Sequence, residues 1–293
     1  MQALRMIPSA LAPSTLASYK RALKKFEAFA NQFNVSSTLP ISVENLSGFM
    51  MSLKNESYSA ASISSILSAV SYFHKLRGLS DPTHSFFIKQ LAAAIHKDSR
   101  SADIREPITE SLLFRMLDQL DNIELHVYDK LLYQSMFLFA FYFGLRVGEF
   151  TSSRHNIQCQ QLVLSDLEMQ LTFTSFKHSS EAPEVHSIPS NSSRFCPVKA
   201  MQAYLTFRGR DDGPLFLLHG KPVSNRSFSA ILKKVVKNLG LASEKYKAHS
   251  FRIGAACFWA GKGLSEVQIR KLGRWHSDAL IKYIRGEVRH SSV

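Results

Sequence analysis

Eight consecutive apolar residues, Met136-Phe-Leu-Phe-Ala-Phe-Tyr-Phe143, constrain this chain more than any other stretch. A bilayer span takes roughly 20 such residues, so the run is too short to cross a membrane. Joined to the turns before it, from Val127 onward, it predicts a long apolar helix, and such a helix belongs inside the core of a sizeable domain. At 293 residues the chain has room for that domain and a smaller one beside it. The hydrophobic content, 45%, is enough for two cores. The N-terminal MQALRMIPSALAPSTL is interrupted by Arg5 and two prolines and makes a poor signal peptide. Cys159, Cys196 and Cys257 are odd in number and far apart, which fits neither a disulfide framework nor a zinc site and points to a reducing compartment. The expectation is a soluble intracellular protein.

The periodicity divides the chain. Leu16, Tyr19, Leu23, Phe26, Ala30 and Phe33 recur at helical spacing after an N-cap at Ser14 or Thr15, with Lys20, Arg21, Lys24 and Lys25 on the wet face. Further helices are predicted over Val43–Leu53, Ser59–Leu76 and from Asp81-Pro82 to about His96. The third carries many serines, Ser62 and Ser65 among them; small hydroxyls allow close approach to phosphates, and serine-rich faces are also common without a function. Residues 1–98 therefore form a helical module. The polar, aperiodic D-S-R-S-A-D-I-R-E-P-I-T around Pro107 marks 99–108 as a linker. Residues 109–293 form a second domain, with helices near Thr109–Leu120 and Val127–Phe143. Short β runs follow at Gln161–Leu164, Gln170–Phe176 and Glu184–Ile188, the last two flanking Lys177 as a hairpin. Helical patterns then return at Pro197–Phe207, Ser224–Leu239, Ser250–Ala260, Ser265–Leu272 and Ser277–Ile284. The fold class is mainly α with a small antiparallel sheet.

The net charge of +13 is unevenly spread: residues 1–100 carry +6, residues 101–200 carry −4, and residues 201–293 carry +11. Basic ends point to a polyanion, double-stranded DNA before an anionic membrane, with a solvated basic surface as the plain alternative.

The basic C-terminal part holds His249-Ser-Phe-Arg252-Ile-Gly and, beyond it, Leu272-Gly-Arg274-Trp275-His276-Ser-Asp-Ala-Leu-Ile-Lys-Tyr283. A histidine and an arginine one helical turn apart, at a helix start where free N–H groups welcome anions, can hold a phosphate. Tyr283 can then attack it. Upstream, Gly144-Leu-Arg146-Val-Gly-Glu149 supplies a second arginine, whose planar fork suits phosphate. Each piece has a bland reading. Arg146 and Glu149 can be a local ion pair, Tyr283 can be a packing residue, and His74-Lys-Leu-Arg77 repeats the H-x-x-R spacing at what reads as a helix end favouring cations. The order of all the pieces together is what carries weight.

That ordered set resembles the tyrosine recombinase (phage integrase) family over nearly the whole chain. Residues 12–97 resemble its helical core-binding, SAM-like domain, and 109–285 resemble its catalytic domain. The L-G-R-W-H-S-D-A-L-I-K-Y-I-R segment further resembles recombinases of eukaryotic DIRS-like and Crypton-like mobile elements. The resemblance implies that Arg146 and Arg252 clamp the scissile phosphate and that Tyr283 attacks it. It also implies His249 as acid/base, Lys177 as acid for the leaving 5′ oxygen, Trp275 as a hydrogen-bond donor to the phosphate and Glu149 in support. Lys20, Arg21, Lys24, Lys25, Ser62 and Ser65 become candidate DNA contacts. Two departures stand out. The family's His or Trp precedes the nucleophile by nine residues, whereas Trp275 precedes Tyr283 by eight; Arg274 occupies the ninth place, and Arg274 and His276 remain rivals. Ten residues follow Tyr283, with Ile284, Val288 and Val293 the apolar ones, so exchange of a tail between protomers is reduced or made by another element.

These side chains support phosphoryl transfer without metal or ATP. A phenol with a pKa near ~10 is a poor nucleophile at neutral pH, so the cluster has to take its proton and stabilise the phosphorane. No Ser-His-Asp arrangement and no carboxylate cluster for two magnesium ions is evident. A covalent 3′-phosphotyrosine conserves the energy of the cut linkage, and by the resemblance four protomers act on two DNA sites. The rivals are a catalytically inactive DNA-binding protein derived from such a recombinase and a type IB topoisomerase. The chain would act with DNA, in a nucleus if eukaryotic and in the cytoplasm or nucleoid if bacterial.

Overall fold

The computed structural model describes residues 10–98, 104–153, 155–174, 183–275 and 280. The chain separates into two compact units, with the division between Ala102 and Asp103. Among the described residues no helix is long and apolar enough to cross a membrane.

The first unit is helical: α1 (Pro13–Phe33), α2 (Val43–Asn55), α3 (Ala60–Leu76), a 3₁₀ turn at Pro82–His84 and α4 (Phe86–Asp98). Its core is built from Phe26, Phe49, Met50, Ile63, Val70 and Ile95. Helix α1 begins one residue before the predicted cap. Pro13 takes the first helical position, where its missing N–H is no loss and its fixed φ is already helical, and Ala12 precedes it without a side-chain cap. Ser42 and Ser59 cap α2 and α3 by accepting from Asn45 N and Ser62 N. His74 is not the exposed helix-end cation that its neighbourhood predicts. It is fully buried, accepts from the Ile41 N–H at 2.9 Å through Nε2 and donates from Nδ1 to the Val70 carbonyl at 2.7 Å.

The second unit contains α5 (Glu110–Asp121), α6 (Val127–Tyr142), the short α7 (Val147–Phe150), a 3₁₀ turn at Cys159–Gln161, and strands β1 (Leu162–Leu164), β2 (Glu168–Phe173) and β3 (Glu184–Pro189). After these come α8 (Pro197–Arg208), the β4 (Leu217–Leu218) and β5 (Lys221–Pro222) hairpin, α9 (Asn225–Asn238), α10 (Ala248–Gly261) and α11 (Glu266–Gly273). Strands β1–β2–β3 form an antiparallel sheet in sequence order, with Leu171 opposite His186 and Phe173 opposite Glu184. Helix α6 is buried on almost every side, as its all-round apolar sequence requires, and its Phe137 and Phe139 meet Phe251, Phe228 and Phe216. The last part of the segment read as a linker is stitched to this unit. Glu106 N donates to the Lys245 carbonyl and Ile108 N to that of Ser250, and Ile108 is fully buried.

Candidate active site

Two turns of backbone bring Arg146 into place. Helix α6 stops at Tyr142, Gly144 adopts a left-handed φ of +56°, and Arg146 stands at the cap of α7. A side chain at Gly144 would be strained, and its Cβ would lie 2.6 Å from the Trp259 ring, so glycine is required on both counts. Arg146 therefore opens the next, short helix. Its N–H donates to Glu149 Oε2 at 2.8 Å, Nη1 to Oε1 at 3.2 Å, and Nη2 to the Arg274 carbonyl at 3.0 Å. The side chain keeps 29% of its surface open, the most of the three arginines in the cluster.

Helix α10 begins at Ala248, two residues earlier than its periodicity predicts, so His249 lies in its first turn rather than before it. Phe251 locks the helix into the aromatic core, which leaves His249 half-buried and Arg252 almost wholly buried, one turn apart. Gly254 explains the glycine of the H-S-F-R-I-G string: an added Cβ would sit 1.8 Å from the Ile108 carbonyl oxygen. Arg252 spreads its fork between two chain segments, Nη1 donating to the Gly144 carbonyl and Nη2 to that of Gly273. Its guanidinium also lies 4.2 Å from the centroid of the Trp275 ring.

Trp275 is 8% exposed and packs edge-on to Trp259, with centroids 6.3 Å apart. Its ring is thus a platform for Arg252, a contact outside the donor role expected of it. Arg274, kept in the sequence as a rival for that place, takes a left-handed φ of +53° and turns inward. It is 3% exposed, donates to Glu149 Oε2 at 2.9 Å and stacks on Phe173 at 3.8 Å, which ties the base of the β2–β3 hairpin to the arginines.

Glu149 is the carboxylate that holds this group together. Burial pushes its pKa up, but Arg274, the Arg146 N–H, Arg252 and Arg146 outweigh that and keep it below the ordinary carboxylate value. Among the described residues it is the one carboxylate ion-paired with Arg146 and Arg274. Among the described residues, three guanidiniums gather around the Glu149 carboxylate, and planar forks of this kind suit a phosphate. His186 of β3, which no sequence motif marks, contacts Phe173 at 5.1 Å and bonds Glu184 at 3.2 Å. Burial and then the nearby Arg274 lower its pKa, against the pull of Glu184. Only its register opposite Leu171 brings it here, and that register is not written in a motif.

Lys177, His276 and Tyr283 lie outside the described residues, as does the helix predicted over Ser277–Ile284 apart from Leu280. Leu280 is fully buried with Trp259, Ile269 and Trp275. In the first unit Lys20, Arg21, Lys24, Lys25, Ser62 and Ser65 are exposed. Ser62 and Ser65 already have partners, in Ser59 Oγ and the Ala61 carbonyl, and Lys25 bonds the Tyr58 hydroxyl.

Residues 6–77 match the phage integrase N-terminal SAM-like domain. Tyrosine recombinase XerD of Oceanobacillus iheyensis is 22% identical over 245 residues, covering 80% of this chain and 75% of that protein. The fold matches XerH site-specific recombinase bound to its palindromic difH substrate, with a TM-score of 0.69 at 14% identity over 94% of this chain and 78% of the other. It also matches a lambda integrase dimer bound to a core site, with a TM-score of 0.62 at 16% identity over 97% and 75%. The Tn1549 transposon integrase in complex with circular intermediate DNA gives 0.64 at 12% identity over 93% and 90%. The chain has the fold of these recombinases, a helical SAM-like unit followed by a mainly helical unit with a small antiparallel sheet, and the sequence matches support the tyrosine recombinase family.

Proposed function

We propose that this chain is a site-specific DNA recombinase that cuts and rejoins strands through a covalent 3′-phosphotyrosine. The observation that carries the reading is the joining of Arg146 and Arg252 around Glu149, from separate helices, with Arg252 fixed by two backbone carbonyls. Fixed guanidiniums stabilise a developing phosphorane without reorganising at the moment of reaction. The Tyr283 hydroxyl attacks phosphorus, the 5′ oxygen leaves with a proton from Lys177, and the arginines hold the equatorial oxygens. His249 serves as acid/base. The phosphotyrosyl bond keeps the energy of the broken linkage, and reversal of the step with a new 5′ hydroxyl rejoins the strands. Neither metal nor ATP enters these steps. Its partner is double-stranded DNA, bound as a homotetramer on two sites, inside the cell. The finer likeness to DIRS-like and Crypton-like elements, and with it a role in transposition, rests on Leu272–Arg285 alone.

Covalent trapping tests the proposal. The protein is mixed with a library of nicked duplexes, denatured in detergent and assayed for DNA-linked protein, beside Tyr283→Phe. The expected result is an adduct lost in Tyr283→Phe with DNA affinity retained. Equal loss of adduct and affinity sinks the assignment of the nucleophile. Salt-sensitive DNA binding with no adduct on any site favours the inactive, DNA-binding alternative.

A further inference from the structure

The two backbone carbonyls that receive the Arg252 fork, those of Gly144 and Gly273, share a second property. A tryptophan ring stands where each glycine's side chain would be. A Cβ added at Gly144 would fall 2.6 Å from the Trp259 ring, and one added at Gly273 would fall 1.6 Å from the Trp275 ring. Both rings are buried and meet edge to face, at 78°, and the Trp275 face carries the Arg252 guanidinium. The arginine, the two glycines and the two rings thus close into one box.

Gly144 would be glycine in any case, because its φ is left-handed. Gly273 would not. It is the last helical residue of α11, and the left-handed residue that follows is Arg274, at +53°. Just past a helix end is where glycine is usually found. Here the glycine stands one residue earlier, where no left-handed φ asks for it and the Trp275 ring does. The turn at Arg274 brings the Trp275 N–H back to the Arg270 carbonyl at 3.0 Å and so folds the ring across the end of its own helix. Trp259 belongs to no motif; it lies two turns beyond Arg252 on the same face of α10.

We propose that Trp259 and Trp275 brace Arg252, and that Trp259 is a positioning residue for its guanidinium. A guanidinium on an aromatic face gains a cation–π attraction, which grows where water is shut out. The edge of a second ring fixes the tilt of that face. Supported by the ring and tied at both ends to carbonyls, the fork keeps one orientation before any anion arrives, as preorganised stabilisation requires. Trp275 then acts through Arg252, by its face, rather than on the phosphate by its indole N–H. The consequence for strand cleavage rests on the recombinase reading above, whereas the brace itself exists without DNA.

Two measurements on the full chain test the brace. NMR of isotope-labelled arginine reports the guanidiniums without DNA, with Arg252→Lys assigning the signals. Wild type is expected to show separate, ring-current-shifted Nη–H signals for Arg252, and Trp259→Leu to average them. Unchanged signals in Trp259→Leu, or averaged ones in wild type, overturn the proposal. Adduct formation is the second measurement. Trp259→Leu should slow it by about 10–10²-fold with DNA affinity retained, the scale of a small misplacement. Tetrafluorotryptophan at position 275 weakens the ring face but makes the indole N–H a stronger donor, so the two roles of Trp275 predict opposite signs. A brace slows adduct formation, by about three- to tenfold, and an equal or faster rate overturns it. Should Trp259→Leu fail to fold, the fluorinated protein decides by the same two readouts. If wild type pins Arg252 yet forms no adduct on any site, the recombinase reading fails and the brace stands.

Discussion

His74-Lys-Leu-Arg77 and His249-Ser-Phe-Arg252 share a spacing, and the fold gives them opposite work. The first lies at the end of α3. Its histidine is sealed in the core between Ile41 N and the Val70 carbonyl, and its arginine is exposed. The second opens α10. There the histidine keeps part of its surface and the arginine is buried, pinned to the Gly144 and Gly273 carbonyls. Four residues set a face of a helix, but which end of the helix they occupy and what packs there decide whether the charge is structural, solvated or poised for an anion. In the second segment the charge is also balanced, by a carboxylate more than a hundred residues upstream. In the first, among the described residues, a carboxylate pairs with Lys75, through Asp81 at 3.7 Å, and with neither His74 nor Arg77.

Removing that balance should have the largest effect on stability. Glu149→Ala removes the buried carboxylate that pairs with both Arg274 and Arg146, a change that costs roughly 3–5 kcal/mol. Both tryptophans, Trp259 and Trp275, lie in the second unit, so tryptophan fluorescence during urea unfolding reads this unit alone. The pH dependence has a definite sign. The pKa of Glu149 is lower folded than unfolded, so its contribution is fully present above the ordinary value of 4.5 and fades as pH falls through the folded value. Wild-type protein should lose fluorescence-monitored stability on acidification, and Glu149→Ala should lose less of it. An equal acid loss in both would place the sensitivity elsewhere.

The next effect concerns geometry at constant charge. Arg252→Lys keeps the cation but cannot span two carbonyls, so one buried acceptor is left unmet at a cost of about 2–3 kcal/mol. Adduct formation with cleavable DNA should fall by about 10²–10³-fold, as when a preorganised donor is lost. Full adduct yield from Arg252→Lys would mean that the fork is scaffolding only.

Much of this was legible in the sequence, and the part that was not has a common cause. The all-round apolar run forecast α6 as the centre of the larger unit, and the alternating runs on either side of Lys177 forecast the paired β2 and β3. Local chemistry carried those signals. Helix α7 has four residues, too few to show a period, so the capping position of Arg146 is not visible in the sequence. The bonds from Arg274 to Glu149 and from Ile41 to His74 cross 125 and 33 residues. No periodicity encodes such long-range pairings, because they depend on how elements dock. Trp275 shows the limit from the other side: its presence was noticed, and its contact with the Arg252 guanidinium comes from packing.

The two histidines offer a paired test of smaller size. His74→Ala strands the Ile41 N–H and should destabilise the first unit by roughly 1–2 kcal/mol, seen as faster hydrogen exchange at Ile41, with tryptophan-monitored unfolding and adduct formation unchanged. His249→Ala should do the reverse, leaving exchange in the first unit as it was and lowering adduct formation by about 10²–10⁴-fold, the usual share of a general acid or base. If both variants moved the same observable, the contrast between the two segments would collapse.

The smallest expected effect belongs to Arg77, and its smallness is the point. Its side chain is exposed at the end of α3, where the last carbonyls favour a cation by a few tenths of a kcal/mol at low ionic strength. Arg77→Ala should therefore change the stability of the first unit by less than about 0.5 kcal/mol, within the range of ordinary surface substitutions. Circular dichroism during urea unfolding at low and high salt measures it, since any dipole contribution should vanish as salt rises. A loss of DNA affinity in the same variant, with the fold intact, would give Arg77 a role that its shared spacing with Arg252 does not supply. It would then be a phosphate contact of the helical unit, reached from an exposed helix end rather than from a buried fork.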